Sequence, residues 1–133
     1  MAARLHDWIT GDVQPAAQKN LQTRITVIKT ASSYVCRLCN NAKSGKLSEH
    51  GRANALDKSG FTFAKSKDVM VEDGWGSMLS KIGLSKQGGF LDDVRESACK
   101  HFATALGPGS DAYHGDHFHI DAIQRKNDYR ICE

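Results

Sequence analysis

Two short segments of the sequence contain most of its histidine side chains, each with carboxylates close by. The first runs from Ser48 to Asp57 (SEHGRANALD) and offers one imidazole, at His50, and a carboxylate at Asp57. The second, His114–Asp121 (HGDHFHID), contains three of the six histidines of the chain. Imidazole nitrogens and carboxylate oxygens are zinc ligands, and a catalytic zinc site uses three protein ligands and leaves a fourth position for water. Together the two segments predict a metal site.

The second segment has the alternation of a β-strand. Side chains two residues apart lie on one face of a strand, so His117, His119 and Asp121 are expected to point the same way. Two imidazoles and a carboxylate are costly to bury without partners, which favours a bound cation. The isolated histidines, His6 and His101, are interpreted as ordinary residues on the solvent side of helices.

Length and composition indicate one globular domain that spans residues 1–133. Apolar residues make up 40% of the chain and charged residues 25%, which argues against disorder. The net charge of +3 is small and scattered along the chain, so nucleic-acid binding is not expected. No apolar run approaches the roughly 20 residues of a membrane-spanning helix, so no membrane span is expected either.

The chain has four cysteines, which allow three disulfide pairings, and the sequence does not choose among them. Cys36 and Cys39 form a CxxC motif, but no second CxxC completes a four-sulfur zinc site. A bridge between Cys99 and Cys132 would tie the C-terminal tail to the core. Disulfides favour an oxidising, extracytoplasmic compartment. Because no signal-peptide pattern opens the chain, we then expect the sequence to begin inside a longer precursor.

Hydrophobic periodicity predicts several helices. Helical spacing covers residues 2–10 and 75–82, and Gly11 and Asp12 are expected to interrupt the first of these. A second helix begins near Pro15 and continues to about residue 21. A longer amphipathic helix is predicted from Phe90 to Leu106, ended by the Gly-Pro pair that follows.

The strand predictions rest on alternating and short apolar stretches. In the first of them Ile25 and Val27 alternate with polar residues, which is typical of a half-buried strand. The predicted strands cover residues 23–29, 55–57, 61–64, 69–71 and 117–123. The polar segment 30–48 between them is expected to be a long loop, and loops of this length in compact domains are usually functional or mobile. We therefore predict an α+β fold with a small antiparallel sheet and helices packed on one side of it.

The two segments resemble known family motifs. SEHGRANALD resembles the SxHxxGxAxD signature of zinc peptidases that include lysostaphin, D-Ala-D-Ala peptidases and sonic hedgehog, although Gly51 follows His50 directly and Asn54 stands near the position of the signature's glycine. HGDHFH resembles the HxxHxH motif of penicillin-insensitive murein endopeptidases, and its DHFH part is similar to the ExxH of D-alanyl-D-alanine carboxypeptidases. Bacterial extensin-like C-terminal domains are similar to this chain in the segments SSYVCR, LSEHGRANALD, LGPGSDAYHGDHFHID and RIC and in the helix with Cys99, and the likeness covers nearly the whole chain from Ala2.

This resemblance implies a hedgehog/D-Ala-D-Ala-peptidase-like fold that binds Zn²⁺. The implied ligands are His50, Asp57 and His119. Ser48 would brace the ligand loop. Arg37 lies in a segment similar to the SxYR of the carboxypeptidases, which implies that it helps to hold the substrate or the transition state.

The resemblance leaves two candidates for the base that a zinc hydrolase needs near its water. His117 occupies the place of the endopeptidase histidine and shares the face of His119, whereas Asp116 occupies the place of the carboxypeptidase glutamate. Both stay open at this point, with His117 favoured. His114 is expected to line the site or to stabilise the oxyanion. Asp121 either orients a ligand imidazole or is a solvated strand residue.

The function that the resemblance implies is that of a zinc metallopeptidase of the bacterial envelope, located in the periplasm or otherwise outside the cytoplasm. As a murein endopeptidase or carboxypeptidase, it would cleave amide bonds in the stem or cross-link peptides of peptidoglycan. The alternative is a non-catalytic, zinc-containing module that binds the cell wall. The sequence leaves the cleaved bond and the oligomeric state open.

Overall fold

The computed structural model describes residues 1–39, 42–74 and 85–133, which form an α+β fold. The helices are α1 (Ala2–Trp8), α2 (Gln14–Leu21), α3 (Val71–Gly74) and α4 (Lys86–His101). The strands are β1 (Ile25–Ser32), β2 (Ala55–Phe63), β3 (Val69–Met70), β4 (Thr104–Leu106), β5 (Phe118–Asp121) and β6 (Ile131–Cys132). The helix predicted at 75–82 lies outside the described residues.

The N-terminal helices form one continuous helical segment. The break predicted after residue 10 is wrong, because the π-helical turn Ile9–Val13 connects α1 directly to α2. A π-helical turn accommodates an extra residue without ending a helix. Trp8 is fully buried, and its indole nitrogen donates to Ser97 of α4 at 2.9 Å. His101 is also part of this packing rather than facing solvent, since its Nε2 is 2.7 Å from the carboxylate of Asp12.

The sheet has the strand order β1-β2-β5-β4-β6, and β3 pairs with β2. Neighbouring strands are antiparallel except for β4 and β6, which are parallel. The sheet is therefore mixed, and the prediction of a purely antiparallel sheet is wrong. The cause is the connection 122–130, which passes from the end of β5 to the far side of β4, so that β6 begins at the same end of the sheet as β4.

Two of the three register shifts between β1 and β2 decide whether particular side chains of the sheet reach the core. Relative to β1, strand β2 has one extra residue, at Ser59, and such a bulge reverses the alternation of side chains. Asp57 and Phe61 are four positions apart and would share a face in a regular strand. Because of the bulge, Phe61 packs in the core and Asp57 faces the opposite side of the sheet. A second shift near the start of β1 leaves Val27 52% exposed, whereas Ile25 is buried. The prediction that these two residues share a buried face is wrong for this reason.

Helix α4 lies earlier in the chain than predicted, because it runs from Lys86 to His101 and not from Phe90 to Leu106. The next residue, Phe102, has extended backbone angles (φ −116°, ψ 155°), and Thr104–Leu106 form β4 between β5 and β6. Phe102 and Ala105 are buried like the helical residues before them, so the apolar pattern continues across the change of structure. The buried apolar side chains of α4 are Phe90, Leu91, Val94 and Ala98.

A disulfide joins Cys99 of α4 to Cys132 of β6, with the two Cα atoms 5.9 Å apart. This bridge is one of the three pairings that the sequence left open, and Cys36 and Cys39 are free and exposed. The bridge ties the last strand to the core and is compatible with an oxidising compartment. Among the described residues, none of the helices has the length and apolar character needed to cross a membrane.

Candidate metal centre

His50 is held by a short turn just before β2. The 3-10 turn Glu49–Arg52 begins after Ser48, whose Oγ accepts a hydrogen bond from the backbone N–H of His50 at 3.3 Å. The turn ends at Ala53, which has a φ of 53°, in the left-handed region that favours glycine. The imidazole of His50 is buried, and its Nδ1 donates to the carbonyl oxygen of Ser33 at 2.6 Å. Ser48 thus braces the turn, and the ring has a fixed orientation.

The register of the sheet places the other candidate ligands. Asp57 of β2 lies directly opposite His119 of β5, and Thr104 of β4 lies opposite Asp121. Directly paired residues share a face of the sheet, and Ile120, which lies between the two β5 residues, is buried in the core on the other face. Asp57, His119 and Asp121 therefore lie on the same face, as the alternation predicted for the two β5 residues.

The three residues expected to bind a metal converge on one point. The Nε2 atom of His50 lies 3.2 Å from Nδ1 of His119 and 3.2 Å from Oδ1 of Asp57. The Nδ1 atom of His119 lies 2.9 Å from the same carboxylate oxygen. In a tetrahedral site with bonds of about 2.0–2.1 Å, the ligand atoms are roughly 3.3–3.4 Å apart. The three atoms would therefore need to move apart only slightly to hold a metal ion.

Hydrogen bonds on the outer side of the cluster determine where the imidazole protons lie. The carbonyl oxygen of Ser33 can only accept, so Nδ1 of His50 carries the hydrogen and Nε2 of the neutral ring presents a lone pair to the cluster. On the outer side of His119, Nε2 is 3.5 Å from Oδ2 of Asp121. Outer partners of this kind are typical of metal-binding histidines. The residues fit a cation, because two ring nitrogens and a carboxylate oxygen face one another.

The carboxylates of the cluster favour positive charge between them, as the pKa shifts of His119 and Asp57 show. Burial by itself favours the neutral imidazole of His119, but hydrogen bonds to Asp121 and Asp57 outweigh it and raise the pKa of His119 to about 9. Burial also opposes ionisation of Asp57, but the hydrogen bond from His119 and the charges of His119, His50 and His117 lower the pKa of this carboxyl group. A metal ion held by these residues would take the place of the proton of His119.

His117 lies beside the ligand cluster, and Asp116 lies behind His117. The Nε2 atom of His117 is 3.7 Å from Oδ1 of Asp57, and its Nδ1 atom is 2.6 Å from Oδ1 of Asp116. The side chain of His117 is 16% exposed, whereas that of Asp116 is 68% exposed. The hydrogen bond from His117 lowers the pKa of Asp116. Of the two candidate bases, His117 is thus the one that the structure brings to the ligands.

His114 completes a group of imidazoles around the cluster. Its ring centroid lies 5.2 Å from that of His117 and 5.4 Å from that of His119. Its Nδ1 is 2.7 Å from Oδ1 of Asp111, which also accepts hydrogen bonds from the backbone N–H groups of Tyr113 and His114. Sequence reasoning missed Asp111. The available signal was an aspartate in the turn-forming stretch GPGSD, three residues before a histidine.

The cluster opens into a cleft of about 580 Å³, a volume typical of small-ligand sites. Arg37 lines this cleft together with Tyr113, Leu106 and Arg125. The carbonyl oxygen of Arg37 accepts a hydrogen bond from the backbone N–H of Ser48 at 3.0 Å, which ties the 33–48 loop to the turn that carries His50. The arginine expected to hold substrate is therefore at the site.

Comparison with known proteins identifies the family. Residues 1–133 match the family described as "Extensin-like protein C-terminus", and the chain belongs to this family. The comparison with curated proteins found no match. The comparison with solved structures found none either.

Proposed function

We propose that this protein is a zinc-dependent hydrolase that cleaves amide bonds in the stem or cross-link peptides of bacterial peptidoglycan. The observation that carries the proposal is the convergence of His50 Nε2, His119 Nδ1 and Asp57 Oδ1, with all three distances between 2.9 and 3.2 Å. These atoms come from three separate parts of the chain and belong to the only such group among the described residues.

The donor set favours zinc over the hard cations. Two imidazole nitrogens and one carboxylate oxygen are a ligand set of catalytic zinc sites, whereas calcium and magnesium prefer oxygen ligands alone. Zinc bound by these three residues would polarise a carbonyl group and lower the pKa of a bound water molecule towards 7. The cleft on this side of the sheet leaves room for a substrate beside the ligands.

The other side chains of the site have complementary roles in this proposal. The Nε2 atom of His117, next to Asp57, accepts a proton from the attacking water and returns it to the leaving amine. His114, which lines the cleft, stabilises the oxyanion. Arg37 holds a carboxylate of the substrate, and peptidoglycan peptides carry such groups.

The substrate and the compartment rest on further observations. The likeness of SEHGRANALD and HGDHFH to the motifs of zinc murein peptidases favours a peptidoglycan peptide as the substrate. The disulfide between Cys99 and Cys132 favours the periplasm, because disulfides persist in oxidising compartments. The zinc-peptidase-like domain would then comprise residues 1–133, with a hedgehog/D-Ala-D-Ala-peptidase-like fold.

Zinc binding and muropeptide cleavage test the proposal together. The purified protein should hold one zinc ion per chain and shorten muropeptides, as measured by elemental analysis and by chromatography with mass spectrometry. His119→Ala should lose both properties. His6→Ala, which changes a histidine with a 75% exposed side chain, should keep both. Cleavage that survives in His119→Ala, or a chain that binds no zinc, would refute the proposal.

A variant of His117 separates catalysis from zinc binding. His117→Ala should keep its zinc and lose cleavage by roughly 100-fold or more, because a positioned base contributes about that much. If the unaltered protein instead binds zinc and co-sediments with sacculi but cleaves nothing, it is a non-catalytic wall-binding module.

A further inference from the structure

Every imidazole of the site has an oxygen partner behind it. The partner of His50 is a backbone carbonyl, whereas His119 and His114 lie against the carboxylates of Asp121 and Asp111. The partner of His117 is Asp116, the residue that the sequence offered as a base. His117 lines the cleft and Asp116 does not, so a substrate in the cleft would lie next to His117 and not next to Asp116.

The hydrogen bond to Asp116 determines which nitrogen of His117 carries the proton. An ionised carboxylate only accepts, so at 2.6 Å the Nδ1 atom of His117 must be the donor. The neutral ring then has an unprotonated Nε2 atom, directed towards Asp57. The 3.7 Å between this Nε2 and Oδ1 of Asp57 is too long for a hydrogen bond, so Asp57 does not hold the ring.

We propose that Asp116 is a positioning residue that holds the ring of His117 with its proton on Nδ1 and its unprotonated Nε2 towards the ligand cluster. This inference rests on the proposed function and answers the question of the base: Asp116 acts through His117 and does not itself touch the substrate. Its position argues against a direct role, since the 68% exposed carboxylate would have to break its bond to His117 and pass the ring to reach the cleft.

An ordinary surface ion pair does not explain this geometry equally well. Exposed pairs contribute little because both partners are solvated and free to move. Here only one partner is exposed, and the ring of His117 is 16% exposed and packs 5.2 Å from that of His114. The orientation of the His117 ring therefore decides which of its two nitrogen atoms faces the ligands.

The test uses the zinc-loaded full chain and two readouts. Nitrogen-15 NMR of the His117 ring reports which nitrogen carries the proton, and steady-state cleavage of a muropeptide gives kcat and KM separately. The variants are Asp116→Ala, which removes the partner, and Asp116→Glu, which keeps a carboxylate. Asp92→Ala, on the exposed side of α4, is the control. Thermal melting and zinc content verify that each variant is folded and loaded.

We expect the unaltered protein to carry the proton on Nδ1 of His117, and Asp116→Ala to lose this preference. Its kcat should fall about 10- to 100-fold, the usual effect of removing an outer partner, with KM changed less than about twofold. Asp116→Glu should restore much of both readouts.

A proton on Nε2 of His117 in the unaltered protein would overturn the inference, and so would an Asp116→Ala variant with unchanged kcat. If the unaltered protein cleaves no muropeptide, the proposed function fails. The ring signals still decide whether Asp116 holds His117, because that readout needs no turnover.

Discussion

Removing the disulfide between Cys99 and Cys132 should lower stability strongly without affecting the metal ligands. The bridge connects α4 with β6, the parallel edge strand, whose own contacts with β4 are few. The ligands belong to the turn before β2 and to strands β2 and β5, none of which contains a bridged cysteine. The double variant Cys99→Ala/Cys132→Ala therefore separates the stability of the fold from the composition of the site.

The expected loss follows from the length of chain that the bridge closes. The two cysteines are 33 positions apart, and the chain-entropy relation for a loop of this length gives about 3.7 kcal/mol at 25 °C. A domain of 133 residues has a free energy of unfolding of roughly 7–20 kcal/mol. The bridge thus contributes between about a fifth and a half of the total.

Urea unfolding followed by circular dichroism measures this loss. The double variant and the reduced protein should have the same lowered free energy of unfolding, and the variant should still bind one zinc ion. Cys36→Ala/Cys39→Ala, which changes only exposed free thiols, is the control and should match the unaltered protein. A loss below about 1 kcal/mol would refute the chain-entropy reasoning. Loss of zinc from the folded variant would refute the separation of bridge and site.

Three further changes test individual contacts. Asp121→Asn should weaken zinc binding roughly 10- to 100-fold in a chelator competition, because His119 loses a charged outer partner. Ala53→Gly should raise the free energy of unfolding in urea by about 0.5–1 kcal/mol, because the left-handed backbone suits glycine better than alanine. Burial raises the pKa of Asp93, but hydrogen bonds from Lys19 and a neighbouring asparagine outweigh it, so the pKa is lowered. The ionised carboxylate therefore stabilises the fold at pH values above its unfolded pKa of about 3.9. Asp93→Asn should therefore cost about 0.5–1 kcal/mol at pH 7, and the cost should vanish as the pH falls through the lowered pKa.

Each of these expectations has a clear contrary result. Unchanged zinc affinity in Asp121→Asn would show that this carboxylate does not support its ligand. A lower free energy of unfolding in Ala53→Gly would show that the backbone at this residue is not strained. A deficit of Asp93→Asn that is the same at every pH between 7 and 2 would show that the charge of this carboxylate does not stabilise the fold, contrary to its lowered pKa. Asp92→Asn, on the exposed side of the same helix, provides the matched charge control.

Local sequence patterns were sufficient where the pattern alone sets the secondary structure. Alternation placed His119 and Asp121 on one face of a strand, and the strand is present. The same reasoning was wrong where neighbouring elements decide the outcome. The apolar spacing that begins at Phe90 continues through Phe102 and Leu106, but Phe102 lies in the extended segment before β4 and Leu106 lies in β4. The pairing of β4 with β5 and β6 selects the extended backbone there, and no local pattern contains this information.

The candidate site shows the same division. Residue types and spacing within SEHGRANALD and HGDHFHID predicted a metal site, because metal-binding chemistry depends on side chains that are visible in a sequence, and the resemblance to zinc-peptidase motifs nominated His50, Asp57 and His119. Their convergence was not, since Asp57 and His119 are 62 positions apart and meet through the register of β2 with β5. The bulge at Ser59 lets one strand present Asp57 to the site and Phe61 to the core. The positions of His117 beside the ligands and of Asp116 behind it also depended on three-dimensional structure, because only the folded backbone determines where two adjacent side chains point.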